Sequence, residues 1–172
     1  LKILHMFPTS SIQLSTLSIY SSTVSAIQAI PWSKVMSTTT GFKLGVKSRK
    51  HMEGISPKLV RIAERAISIS KIDFGIPESG GVRTVEQQQQ LYMSGASKAD
   101  GIIHLSKHQF GRAIDFYAYV DGKASWKKDH LTEVAHAFMQ AASDLGIKVD
   151  WGGLWSNFKD LPHIQLGSRE EF

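Results

Sequence analysis

The composition of the chain changes sharply near residue 40, and this change limits where a folded domain can lie. Residues 1–40 contain two charged side chains, Lys2 and Lys34, no acidic residue, and 15 serines and threonines. Residues 41–172 contain 18 basic and 15 acidic residues, the mixture that ordinary globular domains have. We therefore expect residues 1–40 to be a Ser/Thr-rich head, disordered or non-native, and residues 41–172 to form the folded domain.

The head has three possible interpretations. Its residues 3–33 are uncharged, but serine, threonine and glutamine interrupt every window of about 20 residues, which argues against a membrane-spanning helix. A secretion signal fits weakly. Residues 26–29 resemble a cleavage site, but Lys2 is the only positive charge in the region that would precede the apolar stretch. We favour a native start at Met36, and we expect a chain beginning there to fold and act normally.

Three amphipathic helices are predicted in the remaining sequence. Ser56 before Pro57 has the form of an N-cap followed by proline at the first helical position. Thr84 and Gln87 have the spacing of a capping box. Apolar residues at helical spacing follow both starts and recur after Asp129. The predicted helices are 57–70, 85 to about 93, and a third that Asp129 caps and Gly146 ends.

The strand signals favour a small sheet. Residues 112–120 are rich in β-forming side chains and end at Asp121-Gly122, a strong hairpin signal. Helices and strands are mixed without regular βαβ units, so the predicted class is α+β, with a small, mainly antiparallel sheet flanked by helices. The other predicted strands are 72–76, 147–151 and 161–166.

Cysteine content and charge exclude several classes of function. The chain has no cysteine, which rules out a disulfide framework, a thiol nucleophile and thiolate metal sites. Its net charge of +5 suits anionic partners such as nucleic acid or bacterial wall polymers, and equally suits no partner. Because no clustered Lys/Arg stripe is present, we expect no nucleic-acid binding.

One polar constellation in the second half of the chain has the composition of a metal site. His108, Asp115 and His163 are two imidazoles and a carboxylate, which with water make an open tetrahedral zinc site. Asp115 and His163 lie in predicted strands, and Asp160 precedes His163 in the placement of a general base. His104 and His108 have helical ligand spacing, but a helix is not expected there. Spacing alone leaves open that these residues are unrelated surface groups.

The same residues carry a resemblance to a known family. Residues 106–115 follow the pattern Ser-x-His-x-x-Gly-x-Ala-x-Asp, and Asp-x-x-His follows at residues 160–163. This combination resembles the D-Ala-D-Ala carboxypeptidase family of zinc peptidases, and within it the phage L-alanyl-D-glutamate endopeptidases, which are endolysins. The resemblance covers residues 41–166. Further matching pieces, in the family's order, are residues 42–45, 81–84, 95–98, 121–123 and 151–153.

The resemblance implies a fold, a cofactor and a set of roles. The fold is that of hedgehog domains and D-Ala-D-Ala peptidases, and the cofactor is Zn²⁺. The chain departs from the family's usual pattern at Leu154, where a polar residue is common, and in having His104 near the site. The implied roles are zinc ligand for His108, Asp115 and His163, general base for Asp160, oxyanion stabilisation for Arg83, and a substrate-side hydroxyl for Ser106.

The resemblance also implies an activity. It is hydrolysis of the L-Ala–D-Glu bond of peptidoglycan stem peptides, with lysis of the bacterial wall. We expect a monomer without stable membrane insertion, held in the host cytoplasm and acting in the periplasm or wall after release. One alternative is a D-alanyl-D-alanine carboxypeptidase or dipeptidase, which needs a further cation for the terminal carboxylate. Another is a non-catalytic zinc-containing binding module, against which Asp160 and Arg83 both argue.

Overall fold

The description of the fold rests on residues 40–170 of a computed structural model. The predictions for the head, residues 1–39, lie outside these residues. None of the helices in the described part is long and apolar enough to cross a membrane. The helices are α1 (Val46–His51), α2 (Pro57–Ile69), α3 (Val85–Met93) and α4 (Lys128–Asp144); the strands are β1 (Asp73–Gly75), β2 (Ala113–Asp115), β3 (Tyr117–Val120), β4 (Lys123–Ser125), β5 (Val149–Trp151) and β6 (His163–Leu166).

Two of the three helix starts that local sequence signals predict are correct. Helix α2 begins at Pro57 as predicted, although the Ser56 side chain makes no capping hydrogen bond. The capping box of α3 is confirmed, because the Thr84 hydroxyl accepts from the Gln87 N–H and the Gln87 side chain accepts from the Thr84 N–H. The prediction that Asp129 caps α4 is wrong. Lys127 occupies the N-cap, and Asp129 lies in the first turn, where its charge favours the helix dipole.

The core lies between α2, α4 and the strands. The apolar stripe of α2 is buried along its whole length, as the spacing predicts. Three phenyl rings join the layers: the Phe116 ring stacks on Phe138 with centroids 5.1 Å apart, and Phe74 lies 5.0 Å from Phe138. Phe116 and Phe138 are fully buried, so the helix layer and the strands share one packed interior.

The strands form two antiparallel sheets of three strands each. Their orders are β1-β3-β4 and β2-β6-β5. The α+β class with antiparallel pairing is therefore confirmed, and so is the hairpin at Asp121-Gly122, where both residues have positive φ (52° and 74°). The prediction of one strand over residues 112–120 is wrong, because the strand breaks at Phe116.

The break at Phe116 moves the chain from one sheet to the other. Its N–H donates to the Pro162 carbonyl (3.1 Å), and its ring fills the core against Phe138. Residues before the break pair with β6, and residues after it pair with β1 and β4. This exchange places the end of β2, at Asp115, beside the turn that leads into β6.

Candidate metal centre

Two of the predicted ligands face each other across a strand pair. Asp115 ends β2, His163 begins β6, and the two residues are direct partners in the antiparallel register. Directly opposed residues bring their side chains together on the same face of the sheet. The His163 Nδ1 atom lies 2.9 Å from Asp115 Oδ1. A rigid element therefore positions both groups.

The third predicted ligand, His108, comes from a short 3-10 helix, Lys107–Phe110. The Ser106 hydroxyl accepts from the His108 N–H (3.4 Å), and the Gln109 side chain accepts from the Ser106 N–H (2.9 Å). Gly111 ends this turn with φ of +62°, and a Cβ there would overlap the Gly54 carbonyl. Ser106 thus caps the turn that carries His108, and it also lines the cleft in front of it.

The three side chains bring three acceptor atoms into a small triangle. His108 Nε2 lies 3.2 Å from both Asp115 Oδ1 and His163 Nδ1, and the third edge is the 2.9 Å contact between His163 and Asp115. Tetrahedral zinc ligands at their usual bond lengths lie about 3.3 Å from one another. The spacing of this group therefore fits a small tetrahedral metal ion, and His108, Asp115 and His163 could hold one.

Outer contacts fix which ring nitrogens face the triangle. The His108 Nδ1–H donates to the Gly81 carbonyl (2.9 Å), which leaves the Nε2 lone pair pointing inward. On His163 the Nε2 atom lies 3.2 Å from Gln165 Oε1, which leaves Nδ1 inward. Both imidazoles are buried. Partners of this kind orient metal-binding histidines in proteins generally.

The electrostatics of His108, Asp115 and His163 favour a positive charge between them. Burial raises the pKa of Asp115, but the neighbouring imidazoles of His108 and His163 outweigh it and hold that pKa well below its usual range. Burial lowers the pKa of His163, yet the hydrogen bond and charge of Asp115 raise it overall. Three inward acceptors are thus stabilised by a proton or by a cation.

Arg83 contacts the same carboxylate from the outside. Its Nη2 donates to Asp115 Oδ2, its Nε donates to the Ser79 carbonyl (2.7 Å), and its Nη1 donates to Gln88 Oε1 (3.3 Å). These contacts use three of the five N–H donors of a guanidinium. Arg83 therefore holds Asp115 with its other oxygen toward the histidines, and Arg83 itself lines the cleft.

Asp160 lines the same cleft near the group of three. Its N–H donates to the Gly152 carbonyl (3.1 Å), and its carbonyl accepts from the His163 N–H (3.3 Å), so one turn joins it to His163. Burial raises the pKa of Asp160, and the charge of Asp115 raises it further. A carboxyl with a raised pKa takes up a proton more readily than an exposed aspartate does.

The cleft itself has a volume of about 400 Å³ and contains every predicted site residue. Trp155 stands against His163 with ring centroids 5.1 Å apart and forms part of the wall. Trp151 does not line the cleft. It is buried, and its indole N–H donates to the Leu161 carbonyl. His104 is exposed and lies outside the group of three.

Sequence reasoning missed several residues that support the site. Gln88 is fully buried and joins Arg83 to the loop after α3 through hydrogen bonds to Ser97 and Ala99. Its place in a run of four glutamines gives no sign of this, although helical periodicity separates it from the exposed Gln87. The Gly81 carbonyl and Gln165 act on the histidines through contacts that only the fold creates.

Gly81 offers a test of how these outer contacts act. A Cβ at residue 81 would overlap the His51 backbone carbonyl, so Gly81→Ala must move the segment that holds His108 Nδ1. We expect a loss of roughly 1–3 kcal/mol in the free energy of unfolding and a loss of roughly 10- to 100-fold in metal affinity. Thermal unfolding and metal titration measure the two effects. Gly45→Ala is the control, because a Cβ there meets no atom within 4 Å; equal effects of both variants would contradict the account.

Comparisons with known proteins relate the chain to one family of peptidases. A sequence model of the family described as phage L-alanyl-D-glutamate peptidase matches residues 40–168. The L-alanyl-D-glutamate peptidase of Escherichia phage T5 is 39% identical over 116 residues, which are 67% of this chain and 82% of that protein. The peptidoglycan L-alanyl-D-glutamate endopeptidase CwlK of Bacillus subtilis is 32% identical over 55% of this chain and 61% of its own length.

A solved structure is similar as well. The crystal structure of the Serratia marcescens L-Ala D-Glu endopeptidase ChiX superposes with a TM-score of 0.66 and 32% sequence identity. The match covers 76% of this chain and 95% of ChiX. At this identity, both the fold and the sequence relate the two proteins.

Proposed function

Because the chain belongs to the phage L-alanyl-D-glutamate peptidase family, we propose that it hydrolyses the L-Ala–D-Glu bond of peptidoglycan with the help of a zinc ion. The family predicted from the motif at residues 106–115 is thus confirmed, and the protein is a peptidase of the peptidoglycan-hydrolysing class. The observation that carries the zinc proposal is the triangle of three acceptor atoms from His108, Asp115 and His163.

The metal and the protein have separate tasks in this proposal. A bound Zn²⁺ supplies a Lewis acid that polarises the scissile carbonyl and makes water a stronger acid. His108, Asp115 and His163 hold it, with their orientation set by Gly81, Arg83 and Gln165. The ligand set of two imidazoles and one carboxylate favours zinc over the hard cations, which prefer oxygen ligands alone.

Asp160 acts as the general base. Its carboxylate lines the cleft next to the group of three, and its raised pKa suits a group that accepts a proton from the attacking water. The same proton then passes from Asp160 to the amine of the leaving D-Glu residue. The hydrogen bonds of Gly152 and His163 to the Asp160 backbone keep the carboxylate in place during both transfers.

Arg83 and Ser106 act on the substrate side. The two guanidinium donors of Arg83 beyond its three protein contacts are available to the carbonyl oxygen, on which negative charge grows during attack. Ser106 combines its capping of the 3-10 helix with a hydroxyl at the cleft wall. Both assignments are the roles that the family resemblance implies.

We propose the biological setting from the family resemblance. The partner is bacterial peptidoglycan, and the enzyme acts as a monomer. It is held in the host cytoplasm and reaches its substrate in the periplasm or cell wall after release. Nothing in the described part of the chain resembles a membrane-spanning helix.

Metal removal and reconstitution test the proposal. We expect purified enzyme to release peptide amino groups from isolated peptidoglycan, to lose this activity after chelation, and to regain it with about one Zn²⁺ per chain. Mg²⁺ added in the same way should not restore activity. Full activity in a preparation stripped of metal, verified by elemental analysis, would contradict the proposal.

A further inference from the structure

A lysine stands on the rim of the cleft without an assigned task. Lys98 lines the same cleft as His108 and Asp160, and its side chain is exposed. Its Nζ atom lies 6.0 Å from the centroid of the Phe158 ring, which belongs to the loop before β6. The contact spans the mouth of the cleft, from the loop after α3 to the loop that carries Asp160.

The backbone around Lys98 is fixed relative to the metal group. Ser97 and Ala99, on either side of it, both accept hydrogen bonds from the buried Gln88 side chain (2.7 and 2.8 Å). Gln88 in turn accepts from Arg83, which binds Asp115. One chain of hydrogen bonds therefore connects the position of Lys98 to the reaction centre.

The charge of Lys98 has no anionic partner among residues 40–170. The lining carboxylates are Asp115, which is bound by Arg83 and the two histidines, and Asp160, which makes no ion pair with Lys98. The aromatic face of Phe158 is the contact that Lys98 makes. Lys107 also lines the cleft, but its side chain is half-buried and already has an interaction within the protein.

The proposed substrate carries an anionic group close to the bond that is cleaved. Glutamate has two carboxyl groups, and a chain that continues beyond it uses only one of them. The other stays free, and its carbon lies either two or four bonds from the scissile nitrogen, depending on which carboxyl forms the next bond. A substrate cleaved before D-Glu therefore presents a carboxylate close to the leaving amine.

We propose that Lys98 binds this free carboxylate and makes the enzyme selective for stem peptides whose D-Glu is not amidated. The inference rests on the proposed function. Lys98 serves as a specificity residue on the leaving-group side, with Phe158 limiting the directions open to its ammonium group. An amidated D-Glu presents a neutral carboxamide, which loses the ionic part of this contact.

A matched pair of substrates isolates the contact. The peptides are L-Ala-γ-D-Glu-L-Lys amide and the same peptide with the free carboxyl of D-Glu converted to a primary amide. Both have amidated C-termini, so the D-Glu carboxylate is the one group that differs. The values of kcat/KM are measured for wild type, Lys98→Met, Lys98→Arg, Lys107→Met and the control Lys159→Met, whose exposed lysine lies outside the cleft lining.

The wild type should prefer the carboxylate peptide by about tenfold, the usual effect of a hydrogen bond to a charged group. Lys98→Met should lose most of this preference, chiefly through a higher KM, and the preference should also shrink at high salt. Lys98→Arg, Lys107→Met and Lys159→Met should keep it. Retention of the preference in Lys98→Met, an equal loss on both peptides, or a loss in Lys107→Met instead would overturn the inference. Failure of the proposed function has a different signature, because the wild type would then leave the Ala–Glu bond of both peptides intact.

Discussion

Replacing Asp160 with asparagine should slow hydrolysis by roughly 100- to 10,000-fold, the usual contribution of a general base. The change is nearly isosteric, and the backbone hydrogen bonds that hold residue 160 do not involve the altered group. Fold and metal content should therefore stay normal. An amide cannot take the proton that the carboxylate accepts, so the chemical step alone is affected. Turnover and zinc content measured on the same preparation check both halves of the prediction.

Asp129→Asn is the matched control for this variant. Asp129 is exposed in the first turn of α4, outside the cleft, so its turnover should equal that of the wild type. Near-normal turnover of Asp160→Asn would make residue 160 a simple turn residue and assign the base to another carboxylate. Loss of zinc in Asp160→Asn would instead make it a ligand, and the three-ligand site would be wrong.

His163→Ala should lose both zinc and activity. The substitution removes one of three protein ligands and leaves the Asp115 carboxylate facing a cavity, so we expect zinc to fall from about one ion per chain to well below that. Activity should drop to background. Elemental analysis of the dialysed protein measures the metal, and circular dichroism shows whether the fold survives. In a metal-loaded crystal, the ligand distances should be about 2.0–2.2 Å.

Two further variants distinguish metal ligands from nearby residues that do not bind the metal. Asp115→Asn should lower metal affinity and activity together, because it removes the charged ligand. His104→Ala should keep zinc, since His104 is exposed and lies outside the group of three. Full zinc in His163→Ala, or none in His104→Ala, would mean that the sequence and the geometry identify the wrong histidine.

Local signals account for the parts of the fold that the sequence predicts well. The start of α2 and the capping box of α3 depend on neighbouring residues, and the Asp121-Gly122 turn needs positive φ at two adjacent positions. Each signal is contained within a few residues, so tertiary contacts do not have to be known. The apolar stripe of α2 likewise follows from helical spacing alone.

Two of the structural predictions are wrong because a short stretch of sequence does not determine the outcome. Residues 112–120 have uniform β propensity, but the buried ring of Phe116 and its hydrogen bond to Pro162 divide them between two sheets. Asp129 has the right chemistry for a cap, yet the N-cap of α4 is Lys127, two residues earlier. Neither outcome is visible in a short window of sequence.

The metal centre, too, has features that the sequence predicts and features that depend on the fold. The ligand types and the motif are readable in the sequence, and the register then places Asp115 directly opposite His163. The contacts that orient the three ligands, from Gly81, Arg83 and Gln165, depend on segments brought together by folding.

The position of the cleaved bond tests the central claim most directly. A defined muropeptide with a complete stem should be digested with the purified enzyme, with and without chelator, and its products identified by mass spectrometry. We predict a fragment that begins with a free D-Glu amine, a second that ends at L-Ala, and neither in the presence of chelator. Loss of a single terminal D-alanine, with the L-Ala–D-Glu bond intact, would contradict the account and indicate a carboxypeptidase.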